Sequence, residues 1–108
     1  MKVPVKKLRH QKFHHQIMNK LYLITYDLKK DGRDYSSLTA ALKLSPHWWH
    51  HMDNTWLVKT SETPEQVWNR LAPHMDKGDN MIIIQVTKNY SGWLSQKAWD
   101  WIKTNFPE

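Results

Sequence analysis

The run Leu21-Tyr22-Leu23-Ile24-Thr25-Tyr26-Asp27-Leu28 combines aliphatic, aromatic and β-branched side chains with a single charge, that of Asp27. Neither alternate set of its residues is polar throughout, a pattern that predicts a strand buried on both faces. The polar residues 29–33, Lys-Lys-Asp-Gly-Arg, follow directly. The strand is therefore expected to end near Asp27, where a carboxylate serves either chemistry or the start of a loop.

A helix and a hairpin are predicted after this strand. Asp34 is placed to cap a helix whose apolar face contains Leu38 and Leu42 and which ends at Ser45-Pro46. Residues 47–52 and 55–60 are aromatic or β-branched runs on either side of Asp53-Asn54, which predicts a hairpin.

The second half of the chain begins with a strong helix-start signal, Thr63-Pro64-Glu65-Gln66. Thr63 and Gln66 form a capping box around a proline at the first helical position, and Pro73 is expected to end this helix near residue 72. Residues 81–87 predict a second strand with two apolar faces, and a last helix is expected to start at Ser95.

The predicted order is β-α-β-β-α-β with an extra C-terminal helix, which is the ferredoxin-like pattern of the α+β class. Two crossovers would place both main helices on one face of an antiparallel sheet. The first and last strands are apolar on both sides, so the other face needs a cover, either the final helix or a second protomer.

The domain organisation follows from the charge distribution. Residues 1–19 have no clear period and read as a basic, mobile N-terminal arm, while 20–108 form the ferredoxin-like domain. The net charge is +6, yet residues 21–108 contain ten basic and ten acidic residues and are neutral. The arm either holds nucleic acid through phosphates or is a solvated extension, including one that precedes a true start at Met18.

Composition limits the classes of protein and of site. The chain has no cysteine, which excludes disulfides and thiolate metal sites, and seven tryptophans, which indicate an aromatic core and an aromatic partner surface. No apolar run approaches the roughly 20 residues of a membrane helix, so no membrane partner is expected. No signal peptide is recognisable, and a cytoplasmic location is predicted.

Three groups of residues carry a resemblance to a known family. These are the strand end Tyr26-Asp27, the aromatic run Trp48-Trp49-His50-His51 and the strand Thr55-Trp56-Leu57-Val58. Over residues 20–103 the chain resembles the CRISPR-associated Cas-two proteins and the related virulence-associated protein D toxins. It is most similar to small bacterial and phage proteins of this group that are labelled SinR-family.

The resemblance implies a homodimer in which Asp27 of each protomer holds a divalent metal, Mg²⁺, for phosphodiester hydrolysis. Asp27 is then both the catalytic residue and the metal ligand of a metal-dependent endonuclease. The chemistry is consistent, since Mg²⁺ takes oxygen ligands and supplies a polarised nucleophile. The basic residues that follow the strand, Lys29, Lys30 and Arg33, are the candidate phosphate-binding residues.

Each of these assignments has an alternative. Asp27 caps the loop or pairs with one of the neighbouring bases, and those bases belong to a solvated loop. His47, His50 and His51 are ordinary strand or interface residues rather than zinc ligands, because a strand would place His50 on the opposite face. The tryptophans stack on bases or, as is commoner, belong to the core or a dimer interface.

The functional prediction is therefore twofold. The first function is interaction with nucleic acid or nucleotides, including metal-dependent cleavage through Asp27. The alternative is a non-catalytic interaction module, such as a toxin–antitoxin, phage or defence accessory protein, that binds a protein or a small nucleotide.

Overall fold

The computed structural model describes residues 18–29 and 32–107, which form an α+β arrangement of one sheet and three α-helices. The predicted arm thus lies outside the described residues except for its last two, and Lys30 and Asp31 also lie outside them. The strands are β1 (Lys20–Asp27), β2 (His47–Met52), β3 (Thr55–Thr60) and β4 (Asn80–Gln85). The helices are α1 (Ser36–Leu42), α2 (Pro64–Leu71) and α3 (Gln96–Asn105).

The sheet is antiparallel throughout, with the strand order β2-β3-β1-β4. The strand predicted from residues 21–28 is confirmed as β1, and it lies between β3 and β4. Tyr22 marks the register, since it pairs with Val58 of β3 and with Gln85 of β4. Strands β2 and β4 are the two edges.

One face of the sheet is covered by α1 and α2. Tyr22, Ile24, Trp56 and Val58 project from the sheet and are fully buried. They pack against the apolar residues of the two helices, which include Leu38, Leu42, Val67 and Leu71. This cluster is the main core of the protein.

The other face is covered by α3, but only in part. Ala98 and Ile102 of α3 pack on Leu21, Leu57 and Trp49, so the expectation that the final helix covers this face is confirmed for β1, β2 and β3. Strand β4 was expected to have two apolar faces that the final helix or a second protomer covers. The final helix does not cover it, because Ile82 and Ile84 lie beyond the reach of α3 and remain 54% and 50% exposed.

Local signals determine where the helices begin and end. The capping box is present, with Thr63 Oγ1 accepting from the Gln66 amide at 3.1 Å and Gln66 Oε1 from the Thr63 amide at 2.8 Å. Helix α2 gives way to a 3-10 turn, Ala72–His74, at Pro73 as predicted. The start of α1 differs from the prediction, because Asp34 accepts a hydrogen bond from the Ser36 amide but lies one residue before the cap position, Tyr35.

In the part of the chain that the structure describes, no helix is long and apolar enough to span a membrane.

Candidate site at the end of strand β1

Asp27 is the last residue of β1 and lies opposite Asn80, the first residue of β4. Side chains alternate along a strand, and Leu21 packs on the α3 side, so Asp27 projects from that same face of the sheet. Its side chain is 61% exposed. Lys29 Nζ lies 2.8 Å from Asp27 Oδ2, and this hydrogen bond together with the aspartate charge raises the pKa of Lys29.

The loop after β1 is attached to the turn before β4 through Asp79. The Asp79 carboxylate accepts hydrogen bonds from the amides of Lys29 (2.8 Å) and Asp76 (2.7 Å) and from the Tyr35 hydroxyl (2.9 and 2.8 Å to its two oxygens). Desolvation opposes ionisation of Asp79, but these donors and the nearby charge of Arg33 outweigh it and lower the pKa of the carboxyl. The carboxylate form is therefore the one that holds this loop.

Arg33 forms a second link between the same two segments. Its Nη1 donates to Asp76 Oδ2 at 2.7 Å, and its guanidinium carbon lies 4.7 Å from the centre of the Tyr35 ring. The side chains of Arg33 and Asp76 are 28% and 32% exposed, so this ion pair is better shielded from water than the pair of Asp27 and Lys29. Arg33 therefore helps to hold the loop after β1 against the segment before β4.

The structure thus brings two of the three predicted phosphate-binding residues to the end of β1, while Lys30 lies outside the described residues. Each of the two is paired with an acid, Lys29 with Asp27 and Arg33 with Asp76. The pairing of Asp27 with Lys29 agrees with the alternative to the metal-ligand prediction, in which Asp27 pairs with a neighbouring basic residue.

Sequence reasoning missed Asp76 and Asp79 as partners of this loop. The segment Lys77-Gly78-Asp79-Asn80 was interpreted only as a turn, and Gly78 does adopt the positive φ of 92° that such a turn needs. The signal that the sequence offered was the pair of acids in and beside this turn, Asp76 and Asp79, which in the structure contact Arg33 and the Lys29 amide.

Asp27 lines a shallow hollow of about 280 Å³ on the surface of the sheet. The other residues that line it belong to the adjoining ends of β1 and β4, and they are Thr25, Tyr26, Asn80, Met81 and Ile82. The hollow offers one carboxylate, one carboxamide and apolar side chains. It is open to a large partner rather than enclosed around a small one.

Within residues 18–29 and 32–107, no three histidine, aspartate or glutamate side chains converge as a metal site. His50 is separated from His51, as the alternation of side chains along β2 predicts. His50 stacks on Trp56, with ring centres 3.9 Å apart, whereas His51 contacts Trp49, with ring centres 5.3 Å apart. Among the described residues that line the hollow, Asp27 supplies the carboxylate.

The tryptophans divide between core and surface. Trp49 and Trp56 are buried, and the Trp56 indole donates a hydrogen bond to the Tyr26 hydroxyl at 3.0 Å. Trp48 is 37% exposed beside Lys43, and Trp93 is 97% exposed.

Comparisons of the chain with protein-family models, with curated proteins and with solved structures found no match.

Proposed function

We propose that the protein is a Cas-two-like homodimer that acts on nucleic acid, with Asp27 of each protomer as a ligand of Mg²⁺ for phosphodiester hydrolysis. The observation that carries this proposal is the position of Asp27 on a surface that we call the open face. This surface is the part of the sheet beyond the reach of α3, formed by Thr25, Asp27, Ile82 and Ile84. The carboxylate therefore adjoins exposed apolar side chains.

The topology supports the proposal at the level of the fold. The order β2-β3-β1-β4, with α1 between β1 and β2 and α2 between β3 and β4, is the order expected of a ferredoxin-like sheet. We infer that the protein has this fold, with α3 as the extra C-terminal helix.

The open face supports a homodimer. Soluble monomers rarely expose contiguous apolar surface next to an unpaired strand edge, because both promote association. β4 is such an edge, and its residues Ile82 and Ile84 are half exposed. A second copy related by a two-fold axis would cover these side chains with the same side chains of its own open face. The two Asp27 carboxylates lie on the faces that meet.

The residues at the end of β1 fit a divalent cation. The Asp27 carboxylate already attracts one cationic group, the Lys29 ammonium at 2.8 Å, and Mg²⁺ favours such oxygen ligands. Two facing carboxylates repel each other unless a cation lies between them. When bound there, Mg²⁺ would supply a polarised water for attack on a phosphodiester. Lys29, once released from Asp27, and Lys30 are the residues that would contact the phosphate.

Cleavage assays test the proposal directly. Single-stranded and duplex DNA and RNA are incubated with the full chain in Mg²⁺, Mn²⁺ or EDTA. We expect cleavage in either metal and none in EDTA, and we expect Asp27→Asn to abolish cleavage. Asp34→Asn is the matched control, since Asp34 is an exposed acid in the same loop. Its Oδ1 accepts a hydrogen bond from the Ser36 amide, and an asparagine can accept the same bond. Cleavage by Asp27→Asn, or cleavage in EDTA, would exclude this mechanism.

A second function is favoured by the pairing of the basic residues at the site. Lys29 and Arg33 are occupied by Asp27 and Asp76, whereas Trp93 is almost fully exposed. These features favour a non-catalytic module that binds a protein through apolar and aromatic surface. The salt dependence of binding distinguishes the two functions. Affinity for nucleic acid falls steeply as the salt concentration rises, whereas the affinity of a tryptophan-anchored protein contact changes much less.

A further inference from the structure

A cleft of about 660 Å³ lies between the start of α3 and the edge strand β2. Three tryptophans line it, Trp49, Trp93 and Trp101, together with Met52, His51 and the positively charged Lys97. We call it the tryptophan cleft. Its volume and its mixture of aromatic walls with a few polar groups are those of small-molecule sites.

The walls of the tryptophan cleft differ in how firmly they are held. Trp49 is buried in the cluster beneath α3, and Trp101 is half buried and packs against the same cluster, so the fold itself holds these two rings. Trp93 precedes α3 and is 97% exposed. An indole left in water next to two fixed indoles is a surface on which a planar ring gains stacking area.

The charge in the tryptophan cleft has one sign. No aspartate or glutamate is among its lining residues, and none of the ion pairs within residues 18–29 and 32–107 includes Lys97. The acid closest to Lys97 along α3, Asp100, accepts a hydrogen bond from Gln96 at 2.9 Å and does not line the cleft. Charge complementarity therefore favours a ligand with an anionic group near Lys97.

We propose that the tryptophan cleft binds a planar aromatic ring that carries an anionic group, the chemistry of a nucleotide. The ring stacks on the indoles, with Trp93 as the exposed wall, and the anion meets Lys97. The site is independent of the proposed catalytic function, because it shares no lining residue with the hollow around Asp27.

The test uses adenosine 5′-monophosphate as the charged probe and adenosine as the uncharged one, titrated into the full chain by calorimetry. Indole N–H signals in NMR spectra report which tryptophans respond. We expect the monophosphate to bind about tenfold more tightly than adenosine, and Trp93→Ala to weaken both by about tenfold. Lys97→Gln should lower the affinity for the monophosphate to that for adenosine and leave adenosine binding unchanged.

Two matched variants serve as controls. Trp68→Ala removes a partly exposed indole from α2, and Lys103→Gln removes an exposed lysine from the last turn of α3; neither residue lines the cleft. Both should bind the monophosphate as the wild type does. Asp27→Asn should also bind it normally, and loss of binding in that variant would contradict the independence of the two sites.

Several results would overturn the proposal. One is the absence of monophosphate binding at millimolar concentration, and another is equal binding by the wild type and by Trp93→Ala. Competition by inorganic phosphate at the affinity of the monophosphate would show that the ring is not recognised. A change from dimer to monomer in Trp93→Ala would assign the exposed indole to a contact between copies instead.

Discussion

The guanidinium of Arg70 holds the carboxylate of Glu62 through two hydrogen bonds, from Nε to Oε2 at 3.0 Å and from Nη2 to Oε1 at 2.8 Å. Arg70 also donates to the Ala41 carbonyl at the end of α1 and to the Ser45 hydroxyl at 3.0 Å. One side chain of α2 thus joins both helices on this face to the segment that follows β3. These contacts hold the layer that packs on the main core.

Arg70→Met should lower the free energy of unfolding by about 1–3 kcal/mol, because it removes the guanidinium donor of the Ala41 carbonyl and leaves the partly buried Glu62 carboxylate with the Thr60 hydroxyl as its remaining side-chain donor. Arg70→Lys should recover only part of this loss, since an ammonium cannot reproduce two parallel hydrogen bonds. Urea unfolding measures both values. Lys103→Met, on an exposed face of α3, is the control and should change stability little; an equal loss there would contradict this role for Arg70.

The same pair predicts how stability depends on pH. The hydrogen bonds from Arg70 lower the pKa of Glu62 below its ordinary value of 4.5. A carboxyl whose pKa is lower in the folded state stabilises the fold fully above its unfolded pKa and loses that contribution as pH falls through the folded pKa. The wild type should therefore lose stability below about pH 4.5 more steeply than Glu62→Gln. Parallel urea curves for the two proteins over this range would contradict the expectation.

Lys29 competes with a metal for Asp27 in the proposed site, because its ammonium lies against the carboxylate. Lys29→Met should therefore strengthen Mn²⁺ binding, and the metal should raise its melting temperature more than that of the wild type. In Asp27→Asn the metal should produce no such rise. Thermal unfolding with Mn²⁺ and with EDTA gives these shifts. An equal rise in all three proteins would place the metal elsewhere.

A charge on the open face should disrupt the proposed dimer. Ile84→Lys places an ammonium among apolar side chains that the second copy would cover, which is costly unless the charge is paired. We expect light scattering at micromolar concentration to give a dimer for the wild type and a monomer for this variant. Gln85→Lys adds the same charge to an exposed position on the opposite side of β4 and should remain dimeric. A wild-type monomer would remove the two-carboxylate site as well.

Much of the architecture was predictable from local sequence. The hairpin around Asp53-Asn54, the capping box at Thr63 and the break at Pro73 are each signalled within a few residues, because turns and helix ends depend on backbone angles and nearby hydrogen bonds. The two-faced apolar pattern of residues 21–28 likewise predicted an interior strand. These features need no knowledge of what packs on them.

The surroundings of Asp27 were predictable only in part. Its place at a strand end and its proximity to Lys29 follow from the sequence, since the two residues are neighbours along the chain. The contact of the Lys29 amide with Asp79 does not, because it joins residues 50 positions apart that meet only when β4 pairs with β1. The contacts that Asp76 and Asp79 make with the loop after β1 are therefore a consequence of the sheet topology.

The sequence by itself determined which segments are strands and helices and which of their faces are apolar, because those properties repeat at the period of each element. Only the tertiary structure decided how much of each face is covered. Helix α3 reaches Leu21, Leu57 and Trp49 but not Ile82 and Ile84, which creates the open face beside Asp27 and the tryptophan cleft at β2. Coverage depends on the lengths and positions of packed elements, and these arise from contacts between residues distant in the chain.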